Sequence, residues 1–183
     1  MPWRLAASWT SSLAKSIRPG RGLPTRTVAG AVASQFKAAA WDARGYGDSD
    51  DYEGALQFEY FTWDVLRVAE HFKVKKLHLV GLSMGGRIAR NVALRVPERV
   101  HSIVMISTDP GFDTLPTSRV MQFVNERRVR TPQSLKTLLG SGSSRAAYEE
   151  LLDSVSRIHE ASYQKTLEAS VAQDRGAPIE KIR

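Results

Sequence analysis

The segment that most restricts what this chain can fold into runs from Lys76 to Val96. A short apolar run with Leu77, Leu79 and Val80 leads straight into Gly81-Leu82-Ser83-Met84-Gly85. Ile88, Ala89, Val92, Ala93 and Val96 then recur at helical spacing until Pro97 stops them. The pattern predicts a strand over 76–81 handing over to a helix with almost no connecting chain. So sharp a turn forces Ser83 into a strained backbone conformation, with glycine needed two residues before it and two after to avoid clashes. Ser83 Oγ is then held out at the carboxyl edge of a sheet, where the helix N-terminus favours negative charge. The letters G-x-S-x-G alone are compatible with a plain turn whose serine caps a helix. The strand before and the helix after select the other reading, in which Ser83 is a nucleophile and the Met84 N–H an oxyanion donor.

From Gln35 onward, apolar runs alternate with amphipathic helical patterns, the signature of an α/β fold with a parallel sheet flanked by helices. Phe36 to Trp41 reads as a strand, and the turn-rich Arg44-Gly45-Tyr46-Gly47-Asp48-Ser49 follows it. Phe61, Val65, Val68, Ala69 and Phe72 predict a helix over 60–73. Val100 to Ser107 is a further strand, and the strand at 76–81 is apolar enough at its end to be buried on both faces. From Thr117 the chain reads as helix, interrupted at Thr131-Pro132 and at Gly140-Ser141-Gly142.

Charge divides the chain differently. The formal charge is +7, yet residues 1–41 hold six basic residues and no acidic one. At the chain's average frequency that stretch would hold roughly four carboxylates. The remaining 20 basic residues are balanced by all 19 acidic ones. A Ser- and Arg-rich, acid-free head with Trp3, Leu5, Trp9 and Leu13 fits an organelle transit peptide, a phosphate-gripping arm, or sequence foreign to the domain. The last is favoured, so residues 1–34 are set apart as a basic segment, non-native or transit-like. A nucleic-acid arm would want a denser cluster interleaved with aromatics, and no nucleic-acid partner is expected. The absence of cysteine excludes disulfides, thiolate metal sites and cysteine nucleophiles. No run is long and apolar enough to span a membrane, so a cytoplasmic protein is expected, with organelle import if the head is a transit peptide.

Two motifs taken together carry a family resemblance: Gly-Leu-Ser-Met-Gly-Gly at 81–86 and Asp-x-Arg-Gly-x-Gly-x-Ser at 42–49. Over roughly residues 35–183 the chain resembles the α/β-hydrolase fold family. The resemblance implies an α/β-hydrolase core over 35–111, a helical lid over 112–175, and the start of a C-terminal core portion over 176–183. It implies a hydrolase that attacks an ester, lactone or similar carbonyl through Ser83, with a small apolar acyl-type substrate and with neither metal nor organic cofactor. Gly81, Gly85 and Gly86 are then the elbow glycines. Asp42, Arg44, Gly45 and Gly47 shape a structural loop, and Phe112, Leu115, Met121 and Phe123 wall the pocket.

The chain departs from the family pattern at both ends. The family's acid and histidine follow the lid, and both positions are expected to fall beyond Arg183. Asp109 stands about where some members place the acid. Of the four histidines, His78 lies within the nucleophile strand, and His71 and His101 lie near strand amino ends. His159 is expected within a lid helix. The second oxyanion donor has no counterpart before Gln35, where Thr27 to Ala33 is a poor candidate strand. A serine without its base loses most of its power. The alternative is therefore a non-catalytic remnant or binding module of the same fold.

Overall fold

The computed structural model describes residue 32, residues 34–108, 115–128 and 132–173, and residue 182. Asp109, Phe112, most of the basic head and most of the segment after 175 lie outside these residues. The described chain runs α1 (Tyr60–His71), β1 (Leu77–Leu82), α2 (Met84–Arg95), a 3₁₀ turn (Pro97–Arg99), β2 (Val100–Ile106), α3 (Thr117–Arg128), α4 (Pro132–Lys136), α5 (Arg145–Ser156) and α6 (Glu160–Ala172). The fold is α/β, with parallel strands flanked by helices and an incomplete sheet.

Two compact units can be distinguished: residues 1–53 with 126–164, and residues 54–125 with 165–183. They follow packing, whereas the boundaries at 35, 112 and 176 follow the chain order of the family's parts.

The second unit holds the sheet. In α1, Phe61, Val65 and Ala69 are buried at four-residue intervals, and Phe61 meets Phe58 edge-on at 5.3 Å. Sealing a side chain such as Phe61 away from water contributes about 1.5–3 kcal/mol. Helix α2 buries Ile88, Ala89, Val92 and Ala93 and packs on both strands. Pro97 has no N–H to continue α2 and opens the 3₁₀ turn that leads into β2. β1 and β2 pair in parallel, with His78 opposite Ser102, Val80 opposite Val104 and Leu82 opposite Ile106, after an irregularity between Leu77 and His78.

Three sequence expectations are corrected. Residues 36–41 form no strand, because extended backbone becomes a strand only when a neighbour takes up its ladder, and among the described residues none does. β1 is not buried on both faces. One face holds Leu79, Gly81, Ile103 and Met105, while Val80, Leu82, Val104 and Ile106 are exposed on the other. An apolar run records that a strand can be covered, not which elements cover it. His159 is not in a helix but precedes α6, where its N–H donates to the Gly45 carbonyl at 3.2 Å.

In the first unit, the 42–50 loop lies against the corner between α5 and α6. Tyr46 bridges Ile158 in antiparallel fashion, and the Gly47 N–H donates to the Arg157 carbonyl at 3.0 Å. Ser144 starts α5, its Oγ accepting from the Ala147 N–H at 3.2 Å.

Candidate active site

The turn between β1 and α2 consists of Ser83 alone, with φ 51° and ψ −117°. Side chains avoid this region of backbone space, and holding one there costs on the order of 1–3 kcal/mol. The expected strain is present, and its restraints can be named. The Ser83 N–H donates to the Ile106 carbonyl at 2.9 Å, tying the turn to the end of β2. The Ser83 carbonyl accepts from the N–H groups of Gly86 at 3.0 Å and Arg87 at 3.3 Å, and from the Thr108 hydroxyl at 2.8 Å. Four hydrogen bonds of about 0.5–1.5 kcal/mol each are comparable in sum with the cost of one strained residue. Ser83 itself is exposed to solvent.

The three elbow glycines have different reasons. A Cβ on Gly81 would stand 2.2 Å from the backbone C and O of Gly85, a clash that nothing flexible can relieve. A Cβ on Gly86 would stand 2.8 Å from Thr108 Cβ and Cγ2. A Cβ on Gly85 would meet nothing within 4 Å, which corrects the expectation that the glycine two after the serine avoids a clash of its own. What matters at Gly85 is its backbone, against which Gly81 fits.

Helix α2 is anchored behind the elbow by a buried arginine. Arg87 donates through Nη2 to the Ser170 carbonyl at 3.1 Å, with its guanidinium 5.3 Å from the centre of the Phe58 ring. Gln173 in turn accepts from the Phe58 N–H at 2.8 Å and donates to the Leu56 carbonyl at 3.3 Å. The sequence signalled neither Arg87 nor Thr108. Arginine on an amphipathic helix reads as surface, and one threonine past a strand forms no pattern.

The 42–50 loop turns on two left-handed glycines. Gly45 and Gly47 have φ of 75° and 57°. A Cβ on Gly47 would lie 2.4 Å from Asp42 Oδ2, and one on Gly45 would lie 2.3 Å from Ser162 Cβ. Asp42 Oδ2 accepts from the Asp48 N–H at 3.1 Å, and the Asp42 carbonyl accepts from Ser49 Oγ at 2.5 Å. Burial pushes the Asp42 carboxyl above its ordinary value. The Asp48 N–H opposes the rise, the Asp48 charge adds to it, and the Arg157 guanidinium opposes it. Arg44 places its guanidinium 5.9 Å from the centre of the Tyr52 ring.

Of the expected pocket residues, Leu115 and Met121 are exposed and Phe123 is half-buried. The buried side of α3 is Val120 and Val124 instead, one helical turn apart. His78 Nδ1 is hydrogen-bonded to Ser102 Oγ at 2.8 Å, and its ring lies 4.9 Å from that of His101. His71 ends α1 edge-on to Phe72 at 5.1 Å. None of these three, all in the unit that carries Ser83, is hydrogen-bonded to it. His159 Nδ1 lies 3.6 Å from Asp51 Oδ2, and Asp51 also accepts from the Ser162 hydroxyl. Among the described residues no group of three or more His, Asp or Glu side chains could hold a metal ion. None of their helices is long and apolar enough to cross a membrane.

A strained serine between a parallel strand and a helix is matched by a wider likeness. The profile described as alpha/beta hydrolase fold matches residues 19–175. The chain belongs to the α/β-hydrolase fold family. The match begins within the basic head and runs through the helices after β2. The chain is 26% identical over 174 residues to the 2-hydroxy-6-oxononadienedioate/2-hydroxy-6-oxononatrienedioate hydrolase of Escherichia coli K12, over 87% of this chain and 60% of that one. An esterase from Exiguobacterium antarcticum shares its fold with a TM-score of 0.66 at 18% identity, over 84% of this chain and 64% of the other. The enol-lactonase of Burkholderia xenovorans LB400 gives 0.60 at 20% identity, over 80% and 58%. The chain therefore spans less than two thirds of each of these relatives. Its lineage is that of hydrolases.

Proposed function

We propose that this α/β hydrolase is a serine hydrolase acting on a small ester, lactone or similar carbonyl compound with an apolar acyl part. The observation that carries the reading is the conformation of Ser83, a non-glycine residue kept at φ 51° and ψ −117° at the carboxyl end of a strand. Strain of this kind persists only where surrounding contacts over-determine it, and it concentrates at sites of chemistry. In the proposed reaction Ser83 Oγ attacks the carbonyl carbon and its proton passes to a base. The tetrahedral oxyanion is met by the Met84 N–H at the start of α2. The alcohol leaves with a proton, and water then releases the acyl group. The relatives named as an esterase, an enol-lactonase and a 2-hydroxy-6-oxononadienedioate hydrolase support the carbonyl class without choosing within it.

The second reading, a binding module without turnover, is favoured by one observation. His71, His78 and His101 make their contacts away from Ser83, so the elbow's own unit supplies no histidine base. A fluorophosphonate probe separates the two, with Ser83→Ala as control. Ser83-dependent labelling together with turnover of p-nitrophenyl esters supports the hydrolase. A folded chain that does neither refutes it and leaves the binding module.

A further inference from the structure

Ser83 and Met84 share one peptide unit. That unit is planar and trans, so its C=O and its N–H point in opposite directions, and whatever fixes the Ser83 carbonyl also aims the Met84 N–H. The carbonyl has three donors. The N–H groups of Gly86 and Arg87, at 3.0 and 3.3 Å, are bonds that any helix starting here would make. The third donor is the hydroxyl of Thr108, at 2.8 Å the shortest of the three, and it comes from 25 residues further along the chain.

Thr108 is itself held in place. It is half-buried, and its Cβ and Cγ2 lie where a side chain on Gly86 would need to be. The residue before it, Ser107, has φ 47°, so the chain leaves β2 through a second left-handed residue and brings Thr108 beside the elbow. Thus the hydroxyl of Thr108 reaches the carbonyl while its methyl fills the space left by the missing Gly86 side chain.

We infer that Thr108 is a positioning residue whose hydroxyl locks the peptide plane between Ser83 and Met84, holding the nucleophile in its strained conformation and aiming the N–H that meets the oxyanion. The inference rests on the reading of Ser83 as nucleophile and deepens it. A further donor on the carbonyl also polarises the peptide and strengthens its N–H as a donor. Both effects act on the reacting geometry, and neither requires Thr108 to touch the substrate.

The test uses two variants of the full chain. Thr108→Val keeps the shape and removes the donor, whereas Thr108→Ser keeps the donor and removes the methyl. Each is treated with a fluorophosphonate over a range of concentrations, separating the maximal inactivation rate from the half-saturating concentration. The Met84 amide resonance is recorded in parallel. In Thr108→Val the maximal rate should fall about threefold to tenfold, the loss of one hydrogen bond, with half-saturation unchanged. The Met84 resonance should move. Thr108→Ser should match the parent in both. A valine variant with the parent's rate and resonance overturns the inference, and so does a serine variant that loses as much as the valine one. If Thr108→Val does not fold, Thr108→Ser decides: a retained rate and resonance support the hydroxyl, and a tenfold loss overturns it. If the parent chain takes no label, the nucleophile reading fails, and the resonance still decides for Thr108. A Met84 signal moved by valine and not by serine supports it, and a signal moved by neither overturns it.

Discussion

The turn at Ser83 and the loop at 42–50 both carry the backbone through left-handed conformations, by opposite means. The loop gives its two positive-φ positions to Gly45 and Gly47, for which φ of 75° and 57° carries no steric penalty. The elbow gives φ 51° to a serine and holds it with four hydrogen bonds, while its glycines stand on either side. In the loop, glycine lets a backbone pass close to the Asp42 carboxylate. In the elbow, glycine at 81 lets the helix pass close to the strand so that a side chain can be held where it would not otherwise go. Glycine in the first case removes strain, and in the second it permits strain one turn away.

The contrast can be broken most severely at Ser83. Ser83→Ala should abolish fluorophosphonate labelling and whatever ester turnover passes through Ser83, with the melting temperature unchanged because alanine keeps the same strained backbone. Retained labelling would move the nucleophile elsewhere. Gly81→Ala should come next. Its new Cβ would lie 2.2 Å from the Gly85 backbone, and a loss of about 3 kcal/mol or more in denaturant unfolding is expected. Gly47→Ala should cost about 2 kcal/mol, because a positive φ and a contact with the Asp42 side chain are both violated. Unfolding curves that rank 47 above 81 would reverse the comparison.

Ser83→Gly sharpens it from the other side. Relief of strain should stabilise the fold by about 1 kcal/mol or less once the added freedom of the unfolded chain is counted, while all labelling is lost. A destabilised glycine variant would mean that the serine conformation is not strained. The smallest effect belongs to Asp42. Its folded-state pKa is raised chiefly by burial, so the folded chain holds this proton more tightly than the unfolded one. The group's contribution to stability therefore grows as pH falls from above the raised pKa toward the ordinary carboxylate value. Asp42→Asn should flatten that part of the pH–stability curve, and only slightly, since the group is only half-buried. A steeper curve in the variant would contradict the direction.

Much of this was legible because the informative patterns are local. The strand expected over 76–81 and the helix that Pro97 stops are found as β1, Leu77–Leu82, and α2, Met84–Arg95. The Ser83 turn could be read because a short apolar run passes directly into a 3.6-residue period and leaves no room for a gentler bend. What stayed illegible depends on partners distant in sequence. The apolar run at 36–41 looks like a strand in isolation, but only a neighbouring ladder would make it one. The four apolar residues on the open sheet face have the same composition as buried ones. On α3, the buried residues are Val120 and Val124, and a short amphipathic pattern does not fix a helix's rotation closely enough to single them out. Thr108 matters through one hydroxyl aimed at one carbonyl, and no periodicity records such a contact.

The arginine behind the elbow bears on the order in which the molecule is completed. Arg87 receives its Ser170 acceptor, and Phe58 its Gln173 acceptor, from positions 83 and 115 residues away in sequence. Closing connections of that length is slow compared with forming a local helix. As the polypeptide leaves the ribosome, the β1–α2–β2 unit is therefore made well before the residues that clamp it. The elbow gains its final stiffness only after the last described helix has emerged.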